Sequence, residues 1–108
     1  MTPAQKARLV GFNAALSQRG VSVTVQTGAE NFLTLALVEV VTEKTREQLQ
    51  LADDQVSHVL HIRRDVFGNV DRKNVVEIER ADSAQTYRVQ HFRDDAQRPA
   101  ILFFCILA

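Results

Sequence analysis

This chain of 108 residues has very little cysteine, no tryptophan and no net charge. Its one cysteine, Cys105, can form neither a disulfide within the chain nor a zinc site that needs two thiols, so a reducing compartment is expected. Thirteen basic residues balance thirteen acidic ones. Such a chain has no overall positive field to attract nucleic acid phosphates or an anionic membrane, which argues against sequence-independent nucleic-acid binding.

Targeting and membrane signals are absent as well. The N-terminal residues lack the basic segment, apolar core and cleavage site of a secretory signal. The longest apolar run, residues 100–108, is less than half of the roughly 20 residues that a membrane-spanning helix needs. Hydrophobic residues make up 45% of the chain and charged residues 24%, which is typical of folded globular proteins. We therefore expect a soluble, cytosolic protein with a single domain over residues 1–108.

The first segment carries start and stop signals of a helix. Thr2 and Gln5 have the spacing of a capping box, and Pro3 suits the first helical position. Apolar residues then recur at three- and four-residue spacings as far as Gly20, a residue that can end a helix in the left-handed conformation. The pattern predicts a helix over residues 3–19.

Strands are predicted for most of the remaining chain. Apolar and polar residues alternate over 21–25, which is typical of a half-buried strand. By similar patterns, strands are predicted near 21–27, 32–41, 56–64, 74–80, 86–93 and 100–107. A sheet of this size with one helix is expected to close on itself, so we predict a mostly β (α+β) fold. Its form would be a small six-stranded β-barrel or sandwich with one N-terminal helix.

Residues 42–55 interrupt this pattern. The segment is polar, and Leu49 and Leu51 are its only bulky apolar residues. Two such side chains are expected to be too few to hold a helix on a core, so the segment is predicted to be a long mobile loop with at most one helical turn.

The last strand is apolar on both of its faces. One face carries Ile101, Phe103, Cys105 and Leu107, and the other carries Leu102, Phe104 and Ile106. Since only one face can point into a barrel, the other needs a cover. Either the N-terminal helix or another subunit could supply it.

No metal site is predicted from the three histidines. His58 and His61 are three residues apart in a predicted strand, so they should lie on opposite faces and cannot share one ion. His61 and His91 could meet only if their strands were neighbours in the right register. Structural or surface histidines are therefore expected, with no metal and no cofactor.

No catalytic residue is predicted either. Cys105 lies in an apolar run, a setting that raises a thiol pKa and leaves it inert. The adjacent carboxylates Asp53–Asp54 and Asp94–Asp95 are expected to be solvated on loops, since a shared-proton pair would need burial. The chain also lacks a nucleophile elbow and a glycine-rich phosphate loop.

Charge is distributed unevenly along the chain. The first twenty residues contain bases and no acid, whereas a later strand and turn are acidic. The bases are Lys6, Arg8 and Arg19, and the acids are Glu77, Glu79 and Asp82. Solvated surface is the simpler interpretation, but complementary patches on a neutral protein would also suit head-to-tail association.

The second half of the chain has a definite order of predicted elements: the strand 74–79, a short turn, the strand that begins Thr86-Tyr87-Arg88-Val89, an acidic turn and a closing apolar strand. This order resembles the C-terminal half of small tailed-phage head-tail joining (head-completion) proteins. The strand 59–64, the helix ending at Gly20 and the strand after it also fit the family's order. Residues 71–74, Asp-Arg-Lys-Asn, depart from it, since the family typically has a Gly-Asp turn there.

The resemblance implies a non-enzymatic assembly protein of a phage or prophage. Such a protein would be made in the host bacterial cytoplasm as a monomer and would form a ring on the connector during virion assembly. Its partners would be portal or connector and tail proteins, and DNA would pass through the lumen without sequence-specific binding. A mobile loop over 42–55 would order on docking.

Two other classes of function remain open from the residues. One is a small β-barrel binding module that holds a ligand or peptide in its interior or on an edge strand. The other, ranked last, is a metal-dependent enzyme that uses His61 and His91.

Overall fold

The computed structural model describes residues 2–28 and 30–108. Within them the chain forms two α-helices, α1 (Pro3–Arg19) and α2 (Glu43–Leu49), with short 3₁₀ turns at Arg64–Phe67 and Arg72–Asn74. The strands are β1 (Val21–Thr27), β2 (Asn31–Val40), β3 (His58–Arg63), β4 (Val75–Arg80), β5 (Thr86–Arg93) and β6 (Ala100–Leu107).

The six strands form one closed antiparallel barrel in the order β1-β2-β3-β6-β5-β4. The ladder between β1 and β4 closes it, with Val25 opposite Ile78. Closure removes the free edges that an open sheet would expose. The predicted mostly β fold with an N-terminal helix is thus confirmed, and of the two predicted forms the barrel is the one observed.

Apolar side chains fill the interior of the barrel. Strand alternation turns one face of each strand inward, and the buried cluster contains Val23, Val25, Ala36, Leu60, Ile62, Phe67, Val75, Ile78, Tyr87, Ile101, Phe103 and Cys105. Phe67, from the turn after β3, packs its ring 5.6 Å from that of Phe103 and 5.5 Å from that of Phe32. The interior is therefore a packed core, which does not favour the predicted alternative of a ligand held inside the barrel.

Helix α1 has the bounds that its capping signals predict. The Thr2 hydroxyl accepts a hydrogen bond from the Gln5 backbone N–H, and the Thr2 N–H donates to Gln5 Oε1 at 2.9 Å. Gly20 ends the helix, but the predicted left-handed conformation is wrong, since its φ is −67°. A glycine is required for space instead, because a Cβ there would lie 2.3 Å from the Leu16 carbonyl oxygen.

Helix α2 stands where a long loop is predicted. Thr42 caps it by accepting a hydrogen bond from the Thr45 N–H at 3.2 Å. Leu49 and Leu51 then pack against a second buried cluster on the outside of the barrel, formed by Val56, Val59, Leu102 and Phe104. Two leucines are enough here because the last strand offers them its outer apolar face.

Arg46 holds the rest of this segment against the barrel. Its guanidinium donates to the backbone carbonyls of Asp53, Asp54 and Val56 at 2.8–2.9 Å. These bonds fix a stretch of chain that has no ladder partners of its own, and they argue against the predicted mobility of residues 42–55.

The second cluster also shows what covers the outer face of β6. The segment between β2 and β3 packs against the cluster that contains Phe104, and His91 of β5 stacks on Phe104 itself; neither of the two predicted sources includes these residues. Helix α1 contributes nearby, since its Phe12 lines a surface pocket together with Leu102.

No helix among the described residues is long and apolar enough to cross a membrane.

Candidate functional site

The histidines lie apart in the barrel. His58 turns toward the interior, with its ring 5.1 Å from that of Tyr87. His61 lies on the outer face of β3, so the two histidines are on opposite faces of this strand, as predicted. His91 stacks on Phe104 at the outer face of β5, with ring centroids 4.6 Å apart. Because β6 lies between β3 and β5, His61 and His91 are on strands that are not neighbours.

His61 has a partner that its sequence neighbours do not reveal. Its Nε2 lies 3.3 Å from Glu39 Oε1 on the adjacent strand. Burial lowers the pKa of His61 and Arg98 lowers it further, although the hydrogen bond and charge of Glu39 raise it in part. The lowered pKa favours a neutral imidazole, and since a carboxylate can only accept, Nε2 carries the hydrogen and donates it. Glu39 thus orients His61.

Cys105 lies in the barrel core, fully buried. Desolvation raises the pKa of its thiol to about 12. Its Sγ donates to the backbone carbonyl of Phe103 at 3.5 Å. The side chain acts as a small apolar group in the core, in agreement with the sequence prediction.

The adjacent carboxylates of residues 94 and 95 have structural partners. Asp94 forms ion pairs with Arg64 and with Arg72, the latter at 3.7 Å. The Asp95 carbonyl accepts a hydrogen bond from Arg64, and its Oδ1 accepts from the Gln97 N–H at 2.9 Å. These contacts tie the turn between β5 and β6 to the connection between β3 and β4. Asp94 is exposed on this turn, in agreement with the predicted solvation, although two arginines engage its carboxylate.

The carboxylates of residues 53 and 54 also belong to a turn. Asp53 Oδ1 accepts a hydrogen bond from the Gln55 N–H at 2.9 Å. This bond is typical of an Asx turn. Over residues 2–28 and 30–108, no three His, Cys, Asp or Glu side chains come together to form a metal-binding group.

The outer face of β2 exposes two large apolar side chains. Leu33 is 73% exposed and Leu35 is 42% exposed, and they lie opposite Thr24 and Ser22 of β1. We call Leu33 and Leu35 the β2 patch. A solvent-facing strand surface ordinarily carries polar residues at such positions. The β2 patch is therefore a candidate contact surface. Periodicity alone does not find it, because apolar residues occur on both faces of this strand.

The charges on the surface are less separated than the sequence suggests. Arg8 of α1 donates to the Gln97 carbonyl at 3.1 Å, so part of its charge is already engaged. Asp82 forms a two-bond ion pair with Arg80, and that guanidinium lowers the pKa of Asp82. Glu77 lies opposite Arg88 in the β4–β5 ladder. Of the six residues in the two predicted patches, Lys6, Arg19 and Glu79 form no ion pair within residues 2–28 and 30–108.

Comparisons with known proteins add no relative. Protein-family models, curated proteins and solved structures all give no match to this chain.

Proposed function

We propose that this protein is a structural, morphogenetic component of a tailed bacteriophage or prophage that joins or completes the head-tail connector. In this role it assembles into a ring with copies of itself and acts without an active site. Its partners are portal or connector and tail proteins, and DNA passes through the lumen of the ring without sequence-specific contacts. It resides in the host bacterial cytoplasm before assembly and in the virion afterwards.

The β2 patch is the observation that carries the proposal. Burying a leucine that is otherwise in water stabilises an interface by about 1.5–3 kcal/mol, so two leucines side by side provide a small apolar centre for association. A surface that contacts a different surface on the next copy makes a head-to-tail interface, which closes into a ring when its rotation allows.

Two further features support this role. The interior of the closed barrel is filled, and Leu33 and Leu35 on the outer face of β2 stay exposed while the outer face of β3 and β6 is covered. The order of elements resembles that of head-tail joining proteins over nearly the whole chain. The resemblance supplies the phage context, and the β2 patch supplies a means of association.

The test is the composition and completeness of virus particles. Particles purified from the strain that encodes this chain are expected to contain it in a fixed ratio to the portal, as measured by quantitative mass spectrometry. Deleting its gene is expected to leave DNA-filled heads and free tails that electron microscopy shows as unjoined.

A plasmid copy of the gene should restore joined particles and serves as the control for the deletion. Particles that lack the chain, together with unchanged particle yield in the deletion strain, would show that the proposed role is wrong. A neighbourhood of portal, capsid and tail genes is also expected.

A further inference from the structure

The ladder between β4 and β5 ends early. It covers only Glu77–Glu79 and Thr86–Arg88, which makes it the shortest of the six ladders. Beyond this ladder each strand has one extra residue in its ladder with its other neighbour. The extra residue is Val76 where β4 pairs with β1, and Gln90 where β5 pairs with β6. Bulges bend the strands that contain them, so the two strands diverge.

The divergence opens a gap in the barrel wall, which we call the β4–β5 slot. The slot is a pocket of about 540 Å³ between residues 72–76 and residues 88–92. The paired part of β4 and β5 closes one end, and near the other end Arg72 Nε lies 3.7 Å from Asp94 Oδ2.

Apolar side chains line the inner part of the slot. Val75 is buried in the barrel core, and Val89 and Phe92 are partly buried against that core. An apolar side chain that entered the slot would therefore extend the existing core.

Basic side chains form the rim. Lys73 is 76% exposed, and Arg88 and His91 are exposed beside it. None of the lining residues that the structure describes is acidic. The acidic groups nearby are Asp71, 3.7 Å from Lys73, Glu77, opposite Arg88, and Asp94, 3.7 Å from Arg72. The slot thus has an apolar inner part and a cationic rim.

The backbone of β5 adds a third feature. Residues 89–92 line the slot, and in the part of the chain that the structure describes they have no ladder partner in β4. A strand edge without a partner can pair with another extended segment. Four residues of β5 correspond to about 13 Å of strand at about 3.3 Å per residue.

We propose that the β4–β5 slot binds an extended segment of a partner protein in which acidic and apolar residues alternate. Alternate side chains of a strand point to opposite faces. The apolar set contacts Val75, Val89 and Phe92, the acidic set contacts Lys73 and Arg88, and the backbone pairs with β5. This site is separate from the β2 patch and does not depend on ring formation.

The chemistry of the slot favours a peptide from another protein. Within this chain the matching alternations are Val38-Glu39-Val40 and Val76-Glu77-Ile78-Glu79, and both lie in strands that are already part of the barrel. Single-stranded nucleic acid would need exposed aromatic rings on which its bases could stack. Two rings line the slot, and both already have partners: Phe92 packs against the core, and His91 stacks on Phe104.

The test is a titration of the ¹⁵N-labelled full chain followed by NMR. The probe is an acetylated and amidated hexapeptide, Glu-Val-Glu-Val-Glu-Val, and the control probe is its basic counterpart, Lys-Val-Lys-Val-Lys-Val. The acidic peptide is expected to shift the amide signals of residues 73–76 and 88–92 and to slow hydrogen exchange at 89–92. Binding should weaken as salt is added.

Matched variants separate the slot from general charge effects. Arg88→Glu is expected to weaken binding about tenfold or more, equal to about 1.4 kcal/mol, whereas Arg19→Glu on α1 should not change it. Arg88→Gln puts no second acid opposite Glu77, so it replaces Arg88→Glu in the test if that variant does not fold. Equal binding of both peptides, shifts mapped elsewhere, or an oligothymidylate that binds the slot when the acidic peptide does not would overturn the proposal.

Discussion

Burial changes the chemistry of three titratable side chains. Desolvation lowers the pKa of His58 and of His61, and it raises the pKa of the Cys105 thiol. In each case the folded protein favours the uncharged form of the group. Near neutral pH these three side chains are therefore uncharged in the folded protein.

Cys105 is predicted to be unreactive in the native protein. At about pH 8 its thiol, with a pKa of about 12, remains protonated and enclosed by the barrel. An aromatic disulfide reagent should therefore label it only as fast as the barrel opens, and should label it at once in denaturant. Rapid labelling of one thiol per native chain would contradict this prediction.

His61 is predicted to make stability depend on pH. In the unfolded chain it takes up a proton near its ordinary value of 6.5, whereas in the folded protein, where burial lowers its pKa, it does so at lower pH. The unfolded state thus binds more protons as pH falls below about 6.5, and the free energy of unfolding decreases there. Urea unfolding at pH 7.5 and 5.5 measures this decrease.

The variant His61→Gln isolates that contribution. Glutamine keeps an amide donor for Glu39 but cannot titrate, so the decrease in stability between pH 7.5 and 5.5 should become smaller than in the wild type. The part due to His58 remains in both proteins. A decrease of the same size in the variant would show that His61 is not responsible.

At the scale of elements, Arg46 is the side chain on which the position of α2 depends. Arg46→Ala removes all three of its bonds to the carbonyls of residues 53–56 and leaves those oxygens to water. We expect a loss of about 1.5–3 kcal/mol in the free energy of unfolding, the range for hydrogen bonds to charged groups. Faster hydrogen exchange at residues 50–57 should accompany it.

Lys44→Ala, at an exposed position of the same helix, is the matched control and should change stability by less than about 0.5 kcal/mol. If both variants unfold at the same urea concentration as the wild type, the guanidinium bonds do not hold α2 in place.

Local signals are enough to predict several elements exactly. Helix α1 has a capping box and a glycine at its end, and β1, β5 and β6 are strongly patterned, so their bounds are those predicted. Strands β2, β3 and β4 differ from the predicted bounds by one or two residues. In these segments the intrinsic preference of the chain and its tertiary environment agree.

Features that depend on distant contacts could not be predicted. Helix α2 exists because Leu49 packs against the buried cluster on the outside of the barrel and because Arg46 donates to carbonyls up to ten residues away. The pair formed by His61 and Glu39 depends on the register of β2 against β3. Periodicity assigns a residue to a face of its own strand, but it does not say which strand lies beside it.

At the scale of the whole molecule, the chain is a closed barrel whose helices cover one side and leave the other side exposed. Its radius of gyration, 13.4 Å, is close to the about 13 Å expected for a single domain of this size. Both helices and the segment after α2 gather near β2, β3 and β6, so the outer faces of β1, β4 and β5 and the β2 patch remain free. These are the surfaces through which an assembly protein would meet its neighbours.

The most direct test of this account is particle joining in a deletion strain supplied with a variant altered at the β2 patch. The double variant Leu33→Glu, Leu35→Glu changes only exposed positions and is expected to fold with nearly the wild-type melting temperature. Gln18→Glu, at an exposed polar position, is the control. Electron microscopy should show unjoined heads and tails with the double variant and joined particles with the control. Joined particles at wild-type frequency with the double variant would contradict the account.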